Sequence, residues 1–201
     1  KKPVVIQAGV HHKDTLRDMS FFWPEGSIHI FEPNPAIFEE LKNHVRAWNF
    51  NMNLYPCALS DSTEKRPFYF DNQGINPKAG SLLQAADAWK WYYKESSVIS
   101  IECQNLEEWA KAKSISSIDF LWLNTGGTEL SILLSIPHLL SSIQLLVVET
   151  HFQEFRLGTG LYPHLKDFLD RSGFEEIKQW KTPNFQGFAI FSKKGLVKDS
   201  L

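Results

Sequence analysis

Two hydrophobic rhythms alternate along the chain. Short apolar runs, Val4-Val5-Ile6, Ile28–Phe31, Ile118–Leu123 and Leu145–Val148, suit strands buried on both faces. Between them apolar residues recur at helical spacing. After an Asp14 cap come Leu16, Met19 and Trp23, ended by Pro24-Glu25-Gly26. After an Asn34 cap and Pro35 at the first helical position come Ile37, Phe38, Leu41, Val45 and Trp48. A helix from Asn105 turns Leu106, Trp109 and Ala110 inward, one from Thr128 runs through Leu133 and Leu134 to a stop at Pro137, and one from Gly160 buries Tyr162, Leu165, Phe168 and Leu169 before Gly173. Further strands are expected over Asn53–Ser60, Arg66–Phe70 and Val98–Cys103. The pair Phe174–Trp180 and Gly187–Phe191, joined by Thr182-Pro183-Asn184, makes a closing hairpin.

This order predicts an α/β fold: a doubly wound, mostly parallel seven-stranded sheet, helices on both faces and an antiparallel hairpin at the C-terminus. The chain has no internal repeat, and residues 1–201 read as one domain. The pattern dissolves over residues 71–95. There Gly74, Asn76, Pro77 and Gly80 precede the aromatic cluster Trp89, Trp91, Tyr92 and Tyr93, which describes an irregular insertion over the sheet edge, a frequent place for function.

Composition narrows the function. A 201-residue chain with 43% apolar and 22% charged residues is ordinary for a soluble globular protein, and neither a membrane-spanning run nor a signal peptide is expected. The net charge of −2 offers no field to attract nucleic acid or an anionic membrane. Small-molecule or glycan substrates fit better. Cys57 and Cys103 lack metal-ligand spacing and read as small core residues, in keeping with a reducing cytoplasm.

The candidate chemistry collects at strand ends. Gly9 supplies a tight turn after the first strand, and Glu32 ends the second at the interval of roughly 20 residues at which doubly wound folds place an acid against a ribose. An adenosine-type ligand is implied. Asn124 ends the most apolar strand, and Glu149 and His151 end the next, where they form a possible general-base pair for a hydroxyl. Glu129 reads as a first-turn helix charge.

Five segments, taken together, resemble one family. Gln7 to Lys13, Phe31 to Pro35 (Phe-Glu-Pro-Asn-Pro), Ala58 to Asp61 (Ala-Leu-Ser-Asp), Ile118 to Glu129 and Glu149 to His151 follow the order seen in FkbM-type S-adenosylmethionine-dependent methyltransferases of the Rossmann-like class. The resemblance implies a methyltransferase fold, S-adenosylmethionine as cofactor and O-methylation of a sugar or natural-product hydroxyl. It assigns cofactor contacts to Gln7, Gly9, His11, Lys13, Glu32, Ala58, Asp61 and Asn124, with catalysis by Glu149, His151 and Asn124 and no metal. Ser81 matches a serine-containing segment of the family and is expected to face the substrate.

The departures are as specific as the matches. Gln7 stands where the family has Asp, Lys13 where it has Gly, Trp122 for Lys, Asn124 for Asp and Gly126 for Glu. They keep open a second reading, a methyltransferase-like domain without turnover that acts as a binding or scaffold module. Nucleic-acid methylation is disfavoured by the near-neutral charge and by Asn124-Thr125-Gly126-Gly127 in place of an Asn-Pro-Pro-aromatic motif.

Overall fold

The computed structural model describes residues 2–10, 14–71 and 79–196. Among them, ten strands fall into two sheets. The main sheet has the order β3-β2-β1-β7-β8-β10-β9, built from β1 (Val4–Ala8), β2 (Ser27–Phe31), β3 (Met52–Tyr55), β7 (Ile118–Leu123), β8 (Ile143–His151), β9 (Phe174–Lys181) and β10 (Gln186–Lys193). The strands from β3 through β8 run parallel, while β10 runs antiparallel to both β8 and β9. This is the doubly wound, mostly parallel sheet with a terminal hairpin that the alternating pattern predicts.

The order in which the strands are laid down reverses beside β1. The chain moves outward from β1 to β2 and β3, then returns to place β7 on β1's other side. Such a switch point leaves a crevice beyond the carboxyl ends of β1 and β7, because the connecting helices depart to opposite faces. Helices α1 (Asp14–Phe22) and α2 (Pro35–Trp48) cover one face through Leu16, Met19 and Leu41 against Val5, Ile28, Ile30 and Phe120. On the other face α4 (Leu106–Ala112), α5 (Glu129–Leu134), α6 (Pro137–Leu140) and α7 (Tyr162–Arg171) pack on Ile6, Ala8, Leu121, Leu123, Leu146 and Val148. Successive residues of β1 thus serve opposite cores, which explains why all but Gln7 are apolar.

The structure departs from expectation at several boundaries. Residues 53–60 form two strands. Pro56, which has no amide hydrogen to offer a ladder, follows β3, and β4 (Ala58–Ser60) leaves the main sheet to pair in parallel with β6 (Ser97–Asn105). Antiparallel β5 (Lys65–Phe70) completes this second, three-stranded sheet, β4-β6-β5. Asp14 is the first residue of α1 rather than its cap. Pro137 opens α6 where the sequence suggests only a stop, and β8 runs on through Glu149, Thr150 and His151. The insertion, described from Ala79 onward, contains a 3-10 turn at Asp87–Trp89 and the short helix α3 (Lys90–Tyr93). Both cysteines are free, and burial pushes each thiol up to about 11, so neither supplies a thiolate at neutral pH. No described helix is long and apolar enough to cross a membrane.

Asn105 joins the second sheet to the helical layer. Its Oδ1 accepts from the amides of Glu107 (2.9 Å) and Glu108 (3.1 Å), capping α4, while its Nδ2 donates to the Asp61 carbonyl (3.2 Å) and to Ser135 Oγ (3.0 Å). Asn105→Ala is expected to lower stability by about 2 kcal/mol, the upper end for a lost cap, because buried partners lose their hydrogen bonds as well. The check is a shift of the urea unfolding midpoint with an unchanged slope.

Candidate functional site

The crevice at the switch point holds a cleft lined by the ends of β1, β2 and β7 together with Ala58, Leu59, Phe68, Gly80 and Leu82. Two chain segments meet at its floor. Gly9 adopts φ +78°, and a Cβ there would stand 1.9 Å from the Asn124 carbonyl oxygen. Glycine is therefore required already by the approach of β1 to β7, whose ends are tied by Asn124 N–H donating to Ala8 O (2.9 Å).

Glu32 faces this cleft and is 5% exposed. One carboxylate oxygen accepts from the Val10 amide (3.0 Å) and the other from the Asn34 amide (2.8 Å). The loop after β1 and the turn into α2 thereby fix the carboxylate plane, and Asn34 Oδ1 at the same time caps α2 through Ala36 N–H (3.0 Å). Burial pushes the Glu32 carboxyl up from its ordinary 4.5 to about 7, against the opposing pull of the two amides.

Gln7, Gly9, Glu32, Ala58 and Asn124 come together around the strand ends, although Gln7 turns beneath the cleft. Its Nε2 donates to Gly9 O (3.1 Å) while its buried Oε1 has no hydrogen-bond partner. Asp61 stands outside the cleft lining, engaged by Arg66 Nη1 (2.7 Å) and Ser60 Oγ (2.9 Å). His11 and Lys13 lie outside the described residues.

A second cavity opens beside the first, with Gly80 in the walls of both. Glu149 and His151 at the end of β8, with Arg156 of the loop that follows, face Tyr92 and Tyr93 of the insertion across it. Ser81 shapes the partition rather than facing the opening. It is buried, donates to Gly126 O (2.9 Å), accepts from Leu83 N–H (3.0 Å) and exchanges backbone hydrogen bonds with Tyr69.

The expectation of a general base at His151 is corrected here. Burial favours the neutral ring, but the Glu149 and Glu129 carboxylates beside it win and hold its pKa up at about 10. Its Nε2 lies 3.3 Å from Glu149 Oε2 and 3.5 Å from Glu129 Oε2. These are ionic contacts rather than aligned hydrogen bonds. The two carboxylates favour the protonated ring, a form that accepts no proton, and Glu149 is the other acceptor at this strand end.

The pattern of residue types does not reveal three contributors. Glu129, expected as a first-turn helix charge, is 2% exposed and accepts from the Thr125 amide (2.6 Å), the Thr125 hydroxyl (2.9 Å) and the Gly127 amide (3.0 Å). Arg156 and Gln186 carry no local signal, since each reaches the cavity only through long-range packing. Glu129 alone offers a hint, as an acid following Gly126-Gly127 where amides are free to turn inward.

The family model for the methyltransferase FkbM domain matches residues 7–176. A relative, the 2-O-methyltransferase NoeI of Sinorhizobium fredii, is 23% identical over 185 residues, covering 89% of this chain and 74% of that protein. Among solved structures the chain is similar to M. capricolum TrmK in complex with S-adenosyl-homocysteine, with a TM-score of 0.54, 9% identity and coverage of 98% of this chain and 66% of that one. It is also similar to Aeropyrum pernix fibrillarin with natively bound S-adenosyl-L-methionine, with a TM-score of 0.53, 11% identity and coverage of 95% and 66%. At these identities the structural likeness concerns the fold. The family match spans most of the sequence and each of the five motifs, and the chain belongs to the FkbM family of methyltransferases, whose cofactor is S-adenosylmethionine.

Proposed function

We propose that the protein transfers a methyl group from S-adenosylmethionine to a hydroxyl oxygen of a sugar or natural-product acceptor, the cofactor in the first cavity and the acceptor in the second. The observation that carries this reading is the adjacency of the two cavities across Gly80, with the Glu149 carboxylate on the far side. The residues around the first cavity suit an adenosyl ligand. Glu32 retains lone pairs beyond its two amide contacts to accept from a pair of ribose hydroxyls, and Ala58, Leu59 and Phe68 offer an apolar wall for a planar base.

When bound, S-adenosylmethionine supplies a methyl on a cationic sulfonium, a group so activated that orientation of the acceptor accounts for most of the rate. The chain's part is then to orient and to accept a proton. Glu149, 14% exposed at its side chain and held by Gly126 N–H (3.2 Å), is placed to receive the acceptor's hydroxyl proton. Arg156 and the tyrosines shape the pocket around it. The name of the relative NoeI supports transfer to oxygen, and the net charge of −2 argues against a nucleic-acid acceptor.

Calorimetric titration of the full chain with S-adenosylmethionine and with S-adenosylhomocysteine tests the reading. Micromolar binding is expected; no heat at millimolar ligand would leave the scaffold reading, which the unpartnered Gln7 oxygen favours. A pH series adds a sharper signature. Ribose hydroxyls donate to the ionised Glu32, so affinity is expected to weaken as pH falls through about 7, by up to about tenfold per unit. Glu32→Gln, which cannot ionise, flattens that profile.

A further inference from the structure

We propose that Glu129, Glu149 and His151 form a binding site for one divalent cation at the wall of the second cavity. Glu149 and His151 are two apart in β8 and therefore share a face of the strand; Glu129, the first residue of α5, meets them from the neighbouring strand-to-helix loop. One ligand atom from each residue falls in a group no more than 4.8 Å across. The separations of 3.3 and 3.5 Å from His151 Nε2 to the two carboxylate oxygens match the edges of a coordination polyhedron. Metal bonds of about 2.0–2.2 Å put adjacent ligands about 3.0–3.5 Å apart.

A separate observation points the same way. His151 is 2% exposed, and neither of its ring nitrogens has a hydrogen-bond partner, although Nε2 is aimed between two oxygens. A buried ring without an aligned hydrogen bond is uncommon, and a cation that displaces the Nε2 proton would take over its contact with both carboxylates. The carboxylates are already oriented from behind: the consecutive amides of Thr125, Gly126 and Gly127 donate to Glu129, Glu149 and Glu129 in turn. Ligating carboxylates elsewhere are typically held by such outer contacts. The nearby Arg156 guanidinium pairs with Glu95, and its charge is also felt at Glu149. Two carboxylates and one imidazole suit Mn²⁺ or Zn²⁺ better than soft metals.

The cation would face the second cavity, where it can bind the acceptor hydroxyl and lower its pKa, a role that rests on the transfer reading above. Binding itself does not rest on it. The test uses the chelator-stripped full chain titrated with MnCl₂, following free Mn²⁺ by electron paramagnetic resonance, and with ZnCl₂ by calorimetry. One equivalent is expected to bind with a micromolar Kd, weakened at least tenfold in Glu149→Gln and in His151→Ala. Circular dichroism verifies folding, and if His151→Ala fails to fold, Glu149→Gln carries the test. Absence of binding at millimolar Mn²⁺ and Zn²⁺, or affinity unchanged in Glu149→Gln, overturns the proposal. The cofactor titration is run separately on metal-free protein, so loss of one result leaves the other standing.

Discussion

Glu32→Ala is expected to weaken S-adenosylmethionine binding by roughly two to four orders of magnitude, the loss of two hydrogen bonds to a charged acceptor at about 1.5–3 kcal/mol each. The free protein should tolerate the change far better. Ionised Glu32 is buried, and its rise from 4.5 to about 7 means that the folded chain prefers the protonated form. Stability contributed by this group is full below pH 4.5 and falls as pH rises toward 7, by about 3 kcal/mol in all. Removing the carboxylate relieves that strain at neutral pH while leaving the Val10 and Asn34 amides without their acceptor, at about 1–3 kcal/mol each. The two effects are comparable and opposed. Thermal unfolding at pH 8 should therefore shift little, while calorimetry loses the cofactor. Unaltered affinity in a folded variant would remove Glu32 from the ribose role; a large drop in melting temperature would show that the carboxylate chiefly holds the two loops.

That separation follows from how the sequence encodes the site. The sheet was legible because β1, β2, β7 and β8 bury both faces and so admit almost only apolar residues, with Gly9 and Glu32 standing out where the runs end. Gly9 carries a demand that composition does not separate, since its closest neighbour is the Asn124 carbonyl rather than open space. The second cavity was less legible. Its residues come from the insertion, from the end of β8 and from the hairpin, segments far apart in sequence and joined by single long-range contacts such as Gln186 Nε2 donating to Tyr93 OH (3.0 Å). His151 shows the limit most directly. Its residue type and its strand-end position suggest a base, but its charge state depends on its burial, on Glu149 and also on Glu129, which only the packing of α5 brings beside it. The split of residues 53–60 between two sheets is a similar case: Pro56 marks a break, but nothing local tells β4 which partner to choose.

Arg156 is the residue on which the insertion's position most depends, and Arg156→Ala is expected to free that segment while leaving the sheet intact. The guanidinium is nearly buried. It pairs with Glu95, donates to the Leu83 carbonyl (2.9 Å) and the Ala79 carbonyl (2.7 Å), and lies over the Tyr93 ring at 4.2 Å. These contacts span the described part of the insertion from end to end. The local apolar cluster is small, Ala85, Tyr93 and Phe155 with Ala79 and Trp89 beside it, so packing alone offers limited support. Removing one partner of a buried ion pair costs about 3–5 kcal/mol, because the Glu95 charge is left buried without compensation. The main sheet shares few of these contacts, so the cost falls on a local opening equilibrium, which should rise by about two to three orders of magnitude. Amide exchange gives the reading. Faster exchange is expected at Ala85, Ala86 and Leu157, whose amides bond to Glu95, Phe155 and Gln84, with β1 and β7 unchanged. Uniform acceleration across the chain would mean instead that the insertion unfolds only with the core, and no acceleration would mean that the aromatic cluster holds it unaided.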